Sequence, residues 1–264
     1  MRRLIDTHCH LFAEEFSQDL PEVMERACGC GLEYLLLPNI SNRTVTDMLR
    51  VCDMWPDICK PMIGLHPEDL EEDFHLQLDE LKRLLDADRG KGGACRYIGI
   101  GETGLDLYWD KTRIRDQIES FRIQLEWALE YDLPVSIHSR ESFRQLCDVL
   151  SDYRGRGLRG VFHCFSGSPE EAVELLGFEG FMLGIGGVLT FRKSQLPDTL
   201  GRIPLERLVL ETDSPYLTPV PFRGKRNEPS YLTFTASRLA QVYGCSEDEI
   251  AAVTSANART LFRL

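Results

Sequence analysis

The 264 residues carry a formal net charge of −12. This excludes a scaffold that coats nucleic acid through a broad basic face, yet leaves room for an enzyme that grips phosphate locally. A hydrophobic share of 43 % supports a sizeable core, and no uninterrupted apolar run approaches the roughly 20 residues needed to span a bilayer.

The chain opens on Arg2-Arg3, with no apolar segment before a histidine motif at residue 8, so no signal peptide is expected. Nine cysteines, an odd number without a CxxC pair, suit free thiols in a cytoplasmic protein. The first strand expected, 3–7, ends on His8-Cys9-His10. Residues i and i+2 of an extended segment share a face, so both imidazoles project together, a ready half-site for a transition metal. The same alternation turns Cys9 away, and Cys164 likewise at its own strand end. Further strands are expected at 33–38, 60–65, 96–101, 134–138, 160–164, 180–185 and 207–212. Just beyond or at the end of four of them stand Glu102, His138, His163 and Asp213. Between strands lie segments of helical period. The clearest is 113–131, with Ile114, Ile118, Phe121, Leu125 and Leu129 on one stripe. Ser168-Pro169-Glu170-Glu171 reads as a helix start, and Ser246 with Glu249 as a capping box.

Eight strands alternating with helices imply parallel pairing, and the closed solution is a (β/α)8 TIM barrel, here a single domain over 1–264. Functional residues of that fold gather at the C-terminal ends of its strands, so the six candidates would converge on one mouth. Two buried imidazoles side by side are costly without a shared partner. Four imidazoles and two carboxylates exceed what a single tetrahedral catalytic zinc uses. Two divalent cations fit better, bridged by Glu102. On this reading His8 and His10 hold one ion, and His138 and His163 the other. Asp213 touches the first and accepts a proton from the attacking water. His75, in the acidic run 71–75, receives no role. Hydrolysis is the expected class, of carbonyl or phosphoryl substrates.

Taken together, Asp6-Thr7-His8-Cys9-His10, Gly64-Leu65-His66-Pro67, Gly101-Glu102-Thr103-Gly104-Leu105-Asp106, His138-Ser139-Arg140, His163-Cys164-Phe165-Ser166-Gly167, Glu211-Thr212-Asp213-Ser214-Pro215-Tyr216 and Gly224-Lys225-Arg226-Asn227-Glu228-Pro229 resemble the TatD family of metal-dependent hydrolases. The likeness runs over essentially the whole chain. It implies an amidohydrolase-like barrel acting as a divalent-metal-dependent deoxyribonuclease, typically an exonuclease working from the 3′ end. The ligands it implies are His8, His10, Glu102, His138, His163 and Asp213. The chain departs from the family pattern at Glu68, where a histidine or aromatic is usual, and at Thr103, where isoleucine is common. Neither removes a ligand.

A phosphodiesterase also needs donors for the non-bridging oxygens. Arg140, two residues past His138, can act as a bidentate clamp. His66, closing the third strand before Pro67, is a second donor, and Ser166-Gly167 offer backbone N–H groups. Arg223, Lys225 and Arg226 form a basic cluster in the loop after the last strand and read as the nucleic-acid approach. Tyr108 and Trp109 can stack on an unpaired base. The cofactors expected are therefore two divalent cations. Histidine-rich ligation favours zinc or manganese, whereas the family is associated with magnesium. The partner expected is a single-stranded 3′ end of DNA, with no membrane and no obligate protein partner. Two other readings stand beside this one: a hydrolase of another ester or amide on the same centre, such as an aminoacyl-tRNA deacylase, and a non-enzymatic binding barrel.

Overall fold

The short apolar runs become strands and the amphipathic stretches between them become helices. The computed structural model describes residues 3–89 and 96–264. The strands are β1 (Leu4–Asp6), β2 (Leu32–Pro38), β3 (Cys59–Met62), β4 (Ile100–Asp106), β5 (Val135–Arg140), β6 (Gly160–Phe162), β7 (Phe181–Ile185) and β8 (Leu208–Leu210). The helices are α1 (Leu20–Gly29), α2 (Val45–Met54), α3 (Phe74–Arg89), α4 (Ile114–Tyr131), α5 (Phe143–Ser151), α6 (Pro169–Leu176), α7 (Leu196–Leu200), α8 (Leu232–Tyr243) and α9 (Glu247–Phe262).

All pairing is parallel, in the orders β1-β2-β3 and β4-β5-β6-β7-β8. The two sets meet at both seams. Ile63 bridges Ile100 between β3 and β4, and Cys9 bridges Ser214 beyond β1 and β8. The Gly101 N–H donates to the Ile63 carbonyl at 2.9 Å, and the Thr7 N–H to the Leu210 carbonyl at 3.0 Å. The architecture is the expected (β/α)8 TIM barrel.

One end of the barrel is filled by apolar side chains. Ile5, Leu36, Met62, Val161 and Val209 pack with Ala258, Leu261 and Phe262 of α9. Ser255 and Asn257 of that helix donate to the carbonyls of Arg3 and Leu208 at 2.9 and 2.7 Å, so α9 lies against the strand starts. The other end, where the strands finish, is left for polar groups.

The fourth strand differs from expectation. It runs from Ile100 to Asp106 rather than 96–101, so Glu102 lies inside it and not beyond it. Gly104, inside this strand, serves close approach. Its φ is +139°, and a Cβ there would sit 2.0 Å from the His138 carbonyl oxygen. Only glycine lets β4 lie this near β5.

Helix α4 occupies the span expected and places two buried glutamines at the mouth. Gln117 exchanges two hydrogen bonds with the Asp106 backbone, both 2.9 Å. Gln124 exchanges two with Leu65, at 2.8 and 3.0 Å. A buried amide is costly unless so satisfied, and these pairs fix the segment after β3 and the end of β4. Ser168 forms a full capping box with Glu171, and the Ser246 side chain accepts from the Glu249 N–H.

Candidate metal centre

The seam between β1 and β8 sets the first pair of ligands. The buried Asp6 carboxylate accepts from Thr212 N (2.9 Å), Thr212 Oγ1 (2.6 Å) and His8 N (3.3 Å). Burial pushes its pKa up to about 7, against the lowering by Thr212. Beyond it the His8 and His10 Nε2 atoms converge to 3.1 Å. Two imidazole nitrogens at that distance need a proton or a cation between or beside them. Burial and the stacked His163 ring, 3.5 Å between centroids, push the His8 pKa down to about 4. Its Nδ1 faces Ser136 Oγ at 3.1 Å, and its Nε2 points to the centre.

Glu102, whose own N–H is held by the Asn39 carbonyl at 2.7 Å, sends one oxygen to each side. Oε2 lies 3.2 Å from His8 Nε2 and 3.5 Å from His10 Nε2. Oε1 lies 3.0 Å from His138 Nδ1, 3.5 Å from His66 Nε2 and 3.7 Å from His163 Nε2. Asp213 Oδ1 is 3.5 Å from His10 Nε2 and 3.7 Å from His163 Nε2. All six candidate ligands therefore meet at one floor. Although burial raises a carboxyl, His8 and His66 hold Glu102 well below its usual range. The His163 and His10 rings likewise hold Asp213 low.

Among five candidate ligand groups in the described residues, His8, His10 and Asp213 form one and His66, Glu102 and His138 another, with no residue in common. The sequence pairs His138 with His163. The structure puts His66 beside His138 instead, their rings 4.5 Å apart, and stacks His163 on His8 between the two carboxylates. His66 caps the turn Pro67–Asp69, its Nδ1 accepting from the Glu68 N–H at 3.2 Å. A neutral imidazole accepting at Nδ1 carries its proton on Nε2, so His66 presents a donor to the centre.

Outer carboxylates that the sequence left without a role complete the arrangement. Asp106 Oδ2 lies 2.8 Å from His138 Nε2, and Glu211 Oε1 lies 3.0 Å from His163 Nδ1. Such partners fix ring orientation and strengthen a ligating imidazole. Burial lowers an imidazole, but Asp106 and Glu102 outweigh it and raise His138 to about 9. Glu211 and Asp213 raise His163 to about 10 in the same way. The pocket thus demands positive charge, and the inward nitrogens and carboxylate oxygens form the donor set that divalent cations require. His8, His10, Glu102, His138, His163 and Asp213 are the residues that fit such ions, and His66 stands beside them as a donor.

Cys164 departs from strand alternation. Its φ of +50° turns it, and its Sγ joins His163 and Asp213 within 4.8 Å. Cys9 faces the Leu36 carbonyl at 3.7 Å, away from the centre as expected.

The expected phosphate contacts divide. Arg140 stands exposed at the rim, its guanidinium 3.8 Å over the Tyr108 ring. Ser166 is exposed beside a cavity of about 640 Å³ that also reaches His163 and Cys164. Arg223 lies exposed over Phe191 at 3.8 Å, and Lys225 is exposed nearby. Arg226 departs from the expected nucleic-acid approach. Its guanidinium is bidentate to Asp19 at 2.6 and 2.7 Å, donates to the Glu15 carbonyl at 2.6 Å and lies over Phe16. With these donors committed, Arg226 pins the loop instead of facing the mouth.

Next to it, Glu228 takes both Arg26 donors at 2.7 Å. Burial raises Glu228, but Arg26 and Ser230 hold its pKa below the usual carboxylate range. A carboxyl lower in the folded chain stabilises above its unfolded pKa and loses that contribution as pH falls through the folded one. Arg26 is 45 % exposed, so Glu228→Gln is expected to cost only about 1 kcal/mol at pH 7. Urea denaturation should show this difference shrinking below about pH 4.

Over its whole length the chain is similar to known metal-dependent hydrolases. The family model described as TatD related DNase matches residues 5–263. A protein of Bacillus subtilis (strain 168), the uncharacterized metal-dependent hydrolase YabD, is 37 % identical over 99 % of both chains. The 3′-5′ ssDNA/RNA exonuclease TatD of Erwinia tasmaniensis is 31 % identical, covering 99 % of this chain and 100 % of its own. The crystal structure of YjjV, a TatD homologue from Escherichia coli K12, superposes with a TM-score of 0.91 at 31 % identity, covering 99 % of this chain and 98 % of that one. On a family match over nearly the full length and relatives above 30 % identity, the chain belongs to the TatD family of metal-dependent hydrolases.

Proposed function

We propose that this hydrolase is an exonuclease that removes nucleotides from the 3′ end of single-stranded DNA. The observation that carries the reading is Arg140, exposed at the rim two residues past His138, its guanidinium seated on Tyr108. In a chain of net charge −12, a cation held above a histidine–carboxylate floor points to an anionic substrate rather than a neutral amide. The relative named as a single-strand exonuclease supports the same choice. Arg223 and Lys225 extend the cationic path over the loop after β8.

When bound, two divalent cations would supply the charge that activates water and clamps the oxygens of the displacement. The rest falls to the chain. Glu102 would span the two ligand groups, one oxygen to each. Asp213, ionised and only 13 % exposed at its side chain, would accept the proton of the attacking water. His66 Nε2–H would donate to a non-bridging oxygen, and Arg140 would hold the phosphodiester by paired N–H donors.

A strand end can reach a floor set inside a barrel mouth, whereas an uninterrupted duplex meets the rim. With few phosphate contacts, binding should weaken only shallowly with salt, with a slope of about −0.7 per phosphate neutralised. Arg140→Ala is expected to lower kcat, and Lys225→Ala mainly to raise KM. The test is digestion of a 5′-labelled single strand alongside a closed circle. A ladder shortening from the 3′ end with the circle intact is the expected result. Efficient cutting of the circle, which offers no end, would overturn the proposal.

A further inference from the structure

Of the large hydrophobic side chains left exposed among the described residues, three are aromatic: Tyr108 at 47 %, Trp109 at 67 % and Tyr216 at 49 %. All three stand on loops at the mouth. Tyr108 and Trp109 follow β4, and Tyr216 follows β8, four strands further round the barrel and so on the opposite rim.

Both positions are tied to the floor. The Asp106 carboxylate that meets His138 through Oδ2 accepts the Tyr108 N–H through Oδ1 at 2.8 Å, with the Trp109 N–H at 3.4 Å. The two rings meet edge to face, 4.8 Å apart at 88°. Arg140 covers Tyr108 at 3.8 Å and stands 5.5 Å from Trp109. Opposite, the Tyr216 N–H donates to the Asp213 carbonyl at 2.8 Å, its carbonyl is held by Asn227 Nδ2 at 2.6 Å, and its ring lies 6.1 Å from His10. The cation–π contact accounts for the pose of Tyr108, but much of Trp109 and Tyr216 is left to solvent. Flat apolar faces flanking a phosphate-hydrolysing floor match the π-faces of nucleobases, which stack without regard to sequence.

We propose that these aromatics form a nucleobase subsite on each side of the reacting phosphodiester. Trp109, in a wall with Tyr108 and Arg140, stacks one base, and Tyr216 stacks the base across the mouth. The proposal rests on the single-strand nuclease reading and assigns its recognition of bases to named residues.

The test compares oligodeoxynucleotides, with the full-length metal-loaded protein, that differ only in lacking the base at the terminal or the penultimate sugar. The parent is expected to lose about 5- to 150-fold in kcat/KM when either base is removed, the size of one base–aromatic stack. Trp109→Ala should erase that selectivity at one of the two sugars, Tyr216→Ala at the other, and Trp109→Phe should largely keep it. A parent indifferent to base loss overturns the proposal, as does a Trp109→Ala enzyme equally impaired on every substrate. A readout without turnover separates this from the nuclease reading. Trp109 is the exposed one of three tryptophans, so dAMP should quench the parent's fluorescence, deoxyribose 5-phosphate should not, and Trp109→Phe should lose the effect. Quenching by dAMP in a protein that cuts no strand would sink the exonuclease reading and sustain the nucleobase subsite. Absence of quenching would sink the subsite even if strands are cut.

Discussion

Asp213→Asn is expected to leave a folded protein with turnover lowered by about 10²- to 10⁴-fold, the usual worth of a positioned general base, and by more if a cation is lost too. The fold should survive for a local reason. Asp213 has a φ of +56°, a left-handed conformation that asparagine tolerates nearly as well as aspartate. The amide fills the same space but cannot take a proton from water, and it brings no charge to the His10 and His163 nitrogens 3.5 and 3.7 Å away. Circular dichroism together with kcat at saturating metal checks both halves. Turnover within a few-fold of the parent would remove Asp213 from the proton-accepting role.

Glu102→Gln is expected to be the more damaging change, because it strikes both ligand groups. Glu102 Oε2 serves the His8–His10 side and Oε1 the His138–His66 side. Loss of an outer partner of a metal ligand typically costs about 10- to 100-fold in affinity, and a bridging carboxylate should exceed that at both positions. His10→Ala, by contrast, should weaken mainly one. Cation titration of the three proteins distinguishes these outcomes: two weakened sites for Glu102→Gln and one for His10→Ala. Equal losses would show that Glu102 does not bridge.

The barrel was legible because each strand is a short apolar run and each helix has its own period, as in 113–131. The metal-centre candidates were legible because a chain with six histidines put four of them at strand ends. What escaped the sequence has identifiable physical causes. The fourth strand begins later than the apolar run 96–101 suggests, since Gly101 and Gly104 allow the close approach of β4 and β5 that carries the pairing on to Asp106. Asp106 could have been found. It is four residues from Glu102, so once β4 includes both, alternation puts them on one face. Glu211, two residues before Asp213, turns to His163 instead, which the sequence does not reveal. Cys164 turns toward the centre because its positive φ breaks the regular alternation of a strand. Arg226 was read from its basic neighbours, and its actual partner Asp19 lies 207 residues away in the chain. No local pattern encodes such a pairing. His66 was seen as a donor, but its place against Glu102 depends on the turn at Pro67–Asp69.

The claim on which the rest depends is that this floor holds two divalent cations at once. Elemental analysis of the full-length protein, equilibrated with excess zinc or manganese and then freed of unbound ions, tests it directly. The account predicts two ions per chain, with hydrolysis of a labelled single strand appearing as the second site fills. A plateau at one ion per chain in a fully active protein would contradict it.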